Sequence, residues 1–285
     1  MLRKAVILAR GMGKRMRRDA GDLTLDPLRS KFVERGWKPF IPIAGRPFID
    51  HQLRMLSELG IEEVCLVVGP EHLELKEHFE KVELEFGIKI EFAIQEKPLG
   101  TADAVYASRN FVGKDPFLLL NGDNFYPREA LESLIGREDP ERCYVAGFRM
   151  DSMIKAGNFS PERIRSFSVM EVDDELNLLR IVEKPEKPEA YKTKHDILVN
   201  MNLWRFNPVI FKACKLVKPH PVRGEFELTS AVQLMVDERM CEVRVIPLSS
   251  YVLDLTYSSD IPVVEQILEK FMREKAQAGR DAKEA

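Results

Sequence analysis

The chain begins with a glycine turn loaded with cations, Leu8-Ala9-Arg10-Gly11-Met12-Gly13-Lys14-Arg15-Met16-Arg17-Arg18. Glycines let backbone amides approach a phosphate, a helix starting there adds positive potential, and arginine offers forked donors to phosphate oxygens. A tight strand-to-helix turn with a solvated basic face has the same composition. The stretch is not a GxxxxGK[ST] phosphate loop, and Met16 stands where the dinucleotide fingerprint has its third glycine. Lys38 heads a segment stiffened by Pro39 and Pro42. Gln95 precedes a loop shaped by Pro98 and Gly100, and its amide carries both a donor and an acceptor, as reading a nucleobase edge requires. Thr101 can begin the helix that follows. Asp123 comes just after the apolar run Leu118-Leu119-Leu120. One or two carboxylates in such places hold the magnesium of nucleotide phosphates. Taken singly, each of these also fits an ordinary connector, cap or turn.

The elements that must position these residues alternate. Lys4 to Ala9 is a short aliphatic strand, Ile49 to Leu59 a helix ended by Gly60, and Val64 to Val68 a second buried strand. Leu73 to Phe86 has helical character, Ile90 to Ile94 alternates as a strand does, Ala102 to Arg109 is helical and Phe117 to Leu120 is a third apolar strand. Strands alternating with helices predict a parallel sheet whose ligands gather at the strands' carboxyl ends, where the loops 10–18, 95–101 and 121–126 lie. From about residue 140 strands dominate: 144–149, 166–172, 178–183, 199–206 and 241–247. Helices are predicted over 225–238 and 261–274, with a frayed polar tail.

Composition narrows the class. The 285 residues are 45% hydrophobic and 31% charged, which excludes a disordered chain. The 43 Lys+Arg against 46 Asp+Glu exclude a broadly basic nucleic-acid-binding surface. Four scattered cysteines without a CxxC pair point to free thiols in a reducing, cytoplasmic setting rather than to zinc. No apolar run approaches the ~20 residues of a membrane span, and the first residues lack the small-residue cleavage site of a secretory leader.

Taken together, the constellations resemble the sugar-1-phosphate nucleotidylyltransferases. That family opens with a strand and Leu-Ala-Ala-Gly-x-Gly-[Thr/Ser]-Arg, then carries Pro-Lys-Pro-Leu-[Leu/Val]-Pro, a Gly-[Thr/Leu]-Ala loop and a Gly-Asp after a strand. Downstream, Glu183-Lys184-Pro185 is similar to its Glu-Lys-Pro element and Asn200-Met201-Asn202-Leu203-Trp204 to its Asn-x-Gly-[Ile/Leu]-Tyr strand. Arg223-Gly224-Glu225-Phe226-Glu227-Leu228-Thr229 resembles Gly-Glu-x-Glu-[Ile/Leu]-Thr, and Val252-Leu253-Asp254 resembles Trp-x-Asp. Eight elements fall in family order over about residues 4 to 265. Arg10, Lys14 and Asn202 depart from the pattern. The Tyr-Gly-[Val/Thr] segment that contacts the sugar is replaced around Ser166-Phe167-Ser168.

The resemblance implies a Rossmann-like, doubly wound α/β fold with a mostly parallel sheet and a smaller strand-rich sugar-binding lobe. It implies one nucleotidyltransferase domain over 1–285: a nucleotide-binding half to about 140, a sugar-phosphate half to about 265, then a C-terminal helix and tail. It implies that a nucleoside triphosphate and a sugar 1-phosphate give a nucleotide sugar and pyrophosphate. Mg2+ would sit on Asp123 and Asp254, Arg15 on the departing pyrophosphate, Lys38 at the α-phosphate and Lys184 at the sugar phosphate. Gln95 and Gly100 would contact the base, and Glu183 and Asn200 the sugar hydroxyls, with Ala9, Gly11, Gly13, Thr101 and Gly122 completing the substrate-binding set. The family often assembles into homo-oligomers; neither nucleic acid nor membrane is an expected partner. Two alternatives stay open: a non-sugar acceptor such as phosphocholine, and a non-catalytic regulator that binds a nucleotide sugar. A nicotinamide dehydrogenase is disfavoured by the missing glycine and by Gly69-Pro70 after the second strand. Residues 19–36 form an insertion between the phosphate loop and Lys38. It is either an excursion packed on the body or a lid that brings Arg29 or Lys31 to the phosphates.

Overall fold

A computed structural model of the chain describes residues 2–19 and 25–284. The first half runs β1 (Lys4–Leu8), α1 (Lys14–Asp19), α2 (Pro27–Arg35), α3 (Phe48–Glu58), β2 (Glu63–Val68), α4 (Lys76–Phe86), β3 (Lys89–Ile94), α5 (Thr101–Ala107), β4 (Phe117–Asn121) and α6 (Arg128–Ile135). The second runs β5 (Cys143–Arg149), β6 (Val169–Val172), β7 (Leu178–Val182), β8 (Leu198–Phe206), α7 (Val209–Leu216), α8 (Leu228–Asp237), β9 (Val243–Leu248) and α9 (Asp260–Glu284). Short unlabelled turns and ribbons connect them.

The nine strands form one sheet in the order β7-β6-β8-β4-β1-β2-β3, with β5 also beside β8 and β9 outside β5. The β4-β1-β2-β3 block is parallel. The second half therefore extends the first half's sheet, through β8, which runs antiparallel to both β4 and β5. Successive side chains of a strand point to opposite faces. Ala5, Ile7, Leu118 and Leu120 pack on the side of α3, α4, α6 and α9, while Val6, Phe117 and Leu119 pack on the side of α5, α7 and α8. Helices thus cover both faces, as in a doubly wound fold. No described helix is long and apolar enough to cross a membrane.

Two elements differ from their sequence patterns. The predicted helix over 225–238 starts only at Leu228, because Phe226 is held extended against the 99–102 loop: its N–H donates to Leu99 O (2.7 Å) and its carbonyl accepts from Ala102 N–H (2.8 Å). The contact is close enough that a Cβ on Gly100 (φ 122°) would lie 2.4 Å from the Phe226 carbonyl oxygen. The C-terminal helix runs to Glu284 instead of fraying after 274. Its tail is polar but rich in Ala, Lys, Gln and Glu, all strong helix formers.

Of the insertion, Asp19 ends α1 and residues 25–36 are described; residues 20–24 lie outside the described residues. Asp26 caps α2, its carboxylate accepting the N–H groups of Leu28 and Arg29 at 3.0 Å. Arg29 donates to Pro42 O (3.0 Å) and pairs with Glu265 of α9, so it is turned toward the body rather than the glycine loop. Lys31 is exposed and lies off the cavity wall. The helix ends at Gly36 (φ 73°), which lies so close to the glycine loop that a Cβ there would meet Met12 O at 2.3 Å. A Cβ on Gly13 would meet Gly36 Cα at 2.5 Å. The insertion is thus a backbone buttress beneath the loop. Gly36→Ala combines left-handed strain, about 1–2 kcal/mol, with this overlap; urea titration should show at least about 2 kcal/mol lost. A loss under about 0.5 kcal/mol would mean that the two loops are not seated on each other.

Candidate active site

The loops at the carboxyl ends of β1, β3 and β4 surround a cavity of about 510 Å³. From β1 come Gly11, Gly13 and Arg15; from β3 comes Gln95, followed by Gly100 and Thr101; Asp123 comes from beyond β4. Lys38 enters from the stiff segment, and Glu183 from the end of β7 closes the far side. Nine of the residues expected to act therefore share one wall, because parallel strands bring loops distant in sequence to the same end.

The other five sit elsewhere. Ala9 is buried, with its N–H on Val67 O (2.9 Å). Gly122 donates to Leu8 O (2.9 Å), and a Cβ on it would lie 3.1 Å from the Pro39 side chain, so it lets β4 turn beneath the loop. Lys184 is exposed and off the cavity wall, although its neighbour Glu183 is on it. The Asn200 side chain is buried, and its Nδ2 reaches Ser168 Oγ (3.3 Å) and Asn202 Oδ1 (3.4 Å). Asn202, not Asn200, lines the cavity wall. It lies where the β5–β8 register shifts between Asn200 and Trp204, with φ 55°. Asparagine tolerates that left-handed backbone better than most side-chain-bearing residues, which explains why it can replace the family's glycine, and its amide then faces the cavity.

Asp254 is the fifth. It pairs with Asn124 in a two-residue antiparallel ribbon, Asn124–Phe125 against Leu253–Asp254, and Leu255 N–H donates to Asp123 O (3.0 Å). The ribbon sets the two aspartates side by side, Asp123 toward the cavity and Asp254 behind it, 5% exposed. Each has its own cation. Lys38 Nζ lies 2.6 Å from Asp123 Oδ2, and Arg163 bonds Asp254 Oδ1. Arg163 also bonds Asp260 (2.5 and 3.0 Å) and lies between the Phe159 and Tyr257 rings. Burial first, then the charge of Asp123, push the Asp254 carboxyl above its ordinary range; Lys38 and Arg163 oppose them. Hard carboxylate oxygens suit a magnesium ion. Among the described residues no group of three or more His, Cys, Asp or Glu could hold a metal. Asp123 and Asp254 are the two carboxylates here that would hold such an ion.

Sequence reasoning missed Arg163, Asn202 and the cavity-facing Arg223, Glu225 and Glu227. The last three lie in a stretch whose resemblance was visible. Nothing in the spacing of Arg163 pointed to Asp254 or Asp260.

The family model described as Nucleotidyl transferase matches residues 4–272. The chain belongs to the nucleotidyl transferase family. Among its relatives, the glucose-1-phosphate thymidylyltransferase of Streptomyces griseus is 31% identical over 93% of this chain and 66% of its own length. The low-salt glycan biosynthesis nucleotidyltransferase Agl11 of Haloferax volcanii is 26% identical over 82% of this chain and 57% of its own length. The chain thus spans little more than half the length of some curated relatives it matches. It covers 97% of the UTP–glucose-1-phosphate uridylyltransferase AglF of Haloferax volcanii, at 27% identity over 94% of this chain. The inositol-1-phosphate CTP transferase structure from T. maritima superposes with a TM-score of 0.69 at 20% identity, over 94% of this chain and 96% of that one. It shows the same fold.

Arg163 makes a stability test of the acidic pair. Arg163→Ala leaves Asp254 and Asp260 buried without their cation, which should cost about 3–5 kcal/mol in urea unfolding. Arg163→Lys should lose clearly less. Equal, small losses in both would show that the carboxylates do not depend on the guanidinium.

Proposed function

We propose that the protein is a sugar-1-phosphate nucleotidylyltransferase, releasing pyrophosphate and a nucleotide sugar. The observation that carries this reading is the shared cavity wall of Arg15, Lys38 and Asp123, with Asp254 directly behind. One basic loop and one acidic pair on a single cavity match the needs of joining two anions. Magnesium held by Asp123 and Asp254 with the nucleotide phosphates would neutralise phosphate charge. The four free cysteines fit a reducing cytoplasm.

The chemistry is an in-line attack by a sugar-phosphate oxygen on the α-phosphorus, forming one P–O bond as the bond to pyrophosphate breaks. A phosphate monoester, with a second pKa near ~6, is already ionised at pH 7 and needs no base. None of the five histidines lines the cavity. Positioning and charge stabilisation supply the rate. Arg15, in the first turn of α1, meets the charge growing on pyrophosphate. Lys38, 7% exposed and fixed by Pro39, holds a cation at the α-phosphate. On the sugar side, Glu183 and Asn202 offer hydroxyl partners, and Arg223 supplies the cation that exposed Lys184 does not bring to the wall.

A pyrophosphate-release screen of nucleoside triphosphates against several sugar 1-phosphates and phosphocholine tests the reading. Turnover with a sugar 1-phosphate is the expected result. Turnover with phosphocholine alone supports the alternative acceptor; tight nucleotide-sugar binding without turnover supports a regulator. Asp123→Asn should cut kcat about 100-fold or more, and full activity at limiting magnesium would remove Asp123 from the metal. Arg15→Ala should lower kcat more than it raises KM for the nucleotide.

A further inference from the structure

The thiols are of two kinds. Cys65 and Cys214 are buried singly among apolar side chains, and burial pushes both up to about 12. The other two meet. Cys143 begins β5, and Cys241 sits on the bend between α8 and β9. The β5–β9 ladder sets Val243 beside Cys143, and Cys143 N–H donates to Glu242 O (3.0 Å). This pairing brings the two sulfurs to 3.5 Å. Cys143 is wholly buried, whereas Cys241 is half-buried and reaches solvent. The Asn207 amide, just past β8, donates to the Cys241 sulfur at 3.5 Å. When protonated, the Cys241 thiol has Glu141 O and Glu242 O at 3.2 and 3.3 Å to donate to. Contact with Cys143 first, then with Asn207, holds the Cys241 thiol down to about 7, against burial and the charge of Glu242. The same contact, with burial, pushes Cys143 up. At pH 7 about half of Cys241 is then thiolate, against a few per cent of an ordinary thiol.

We infer that Cys241 and Cys143 form a modification site for hydroperoxides, an accessible attacking sulfur beside a buried resolving one, which closes to a reversible disulfide between β9 and β5. Redox-sensing cysteines share this construction, an exposed thiolate poised next to a second thiol. The Cys241 thiolate attacks one peroxide oxygen. The O–O bond breaks, hydroxide leaves, and Cys241 becomes a sulfenic acid. The Cys143 sulfur then attacks the Cys241 sulfur. The S–S bond forms as the S–O bond breaks, and the sulfenic hydroxyl leaves as water with the Cys143 proton. Two electrons have passed from the sulfurs to the peroxide, and a dithiol reductant returns them. A disulfide is about 2.0 Å long, so the sulfurs must close by about 1.5 Å. Cys241 can move that far because it stands on a bend, outside helix and strand. The pair is remote from the active site. Strand β8 is antiparallel to both β4 and β5, and β9 is parallel to β5, so both thiols lie at the amino end of the sheet's parallel strands, opposite the cavity. The bond therefore acts on stability: it closes a ring from residue 143 to residue 241, a constraint on the unfolded chain.

The test treats the whole protein with hydrogen peroxide at pH 7, then counts thiols under denaturing conditions and maps the linked peptides. The four free thiols should fall to two, with a mass loss of about 2 Da and one crosslink, Cys143 to Cys241, that dithiothreitol reverses. In Cys241→Ser the three remaining thiols should stay free. In Cys143→Ser the sulfenic acid at Cys241 should persist and be trapped by dimedone; if the buried serine prevents folding, the wild-type peptide map decides alone. Before oxidation, iodoacetamide at pH 7 should alkylate Cys241 at least about ten-fold faster than Cys65 or Cys214. The oxidised wild type should melt several degrees above the reduced form, and Cys241→Ser should show no such gap. Four thiols still free after peroxide treatment overturn the inference, as does Cys241 oxidised to sulfinic acid without a crosslink. Equal melting of the oxidised and reduced forms overturns the effect on stability.

Discussion

Two carboxylates side by side in a half-dry pocket repel each other, and the rest of the site is arranged around that repulsion. Asp123 and Asp254 are held together by a ribbon of two residues a side and a backbone bond from Leu255 to Asp123. Each is met by a cation from a different element, Lys38 from the proline-stiffened segment and Arg163 from the turn before β6. Leaving Asp254, the buried one, without its cation would cost several kcal/mol. Four separated stretches, around residues 38, 123, 163 and 254–260, are thereby tied to one point. Arg163 itself is fixed on three sides, by Asp260 and by two aromatic rings.

Around this point the cavity wall draws on two kinds of element. The glycine loop brings cations without side-chain bulk, and its backbone rests on Gly36 of the insertion. Glu183, Glu225 and Glu227 with Asn202 and Arg223 add further polar groups to the wall. The two sets are positioned differently. Strand ends of the parallel block hold the first. The second depends on a bulge in β8 and on an extended segment pinned to the 99–102 loop.

That difference decides what could be read from the sequence. Gln95 follows an alternating stretch and Asp123 an apolar run, both patterns of a strand, so their location at the carboxyl end of the sheet was legible. The Asn200/Asn202 exchange was not: side chains alternate along a regular strand, and a register shift changes which asparagine faces the cavity without altering composition. Arg163 was invisible because its role depends on two acids far along the chain. The start of α8 was placed too early because helical periodicity in 225–238 says nothing of the tertiary hydrogen bonds that keep Phe226 extended. The insertion's apolar residues predicted packing or closure equally well; Glu265 and Pro42 O, which hold Arg29 toward the body, lie outside it.

Strand β8 has a mechanical consequence. It bonds to β4 of the first half along Trp204–Phe206 while bonding to β5 over most of its length and meeting β6 at Val199. Separating the two halves like a clamshell would break a continuous backbone ladder in the middle of the sheet, unlike bending at a linker. Substrates must then enter and leave past side chains and loop tips on a rigid frame. The amides of β8 should belong to the slowest-exchanging set in the molecule, and the two halves should unfold as one cooperative unit.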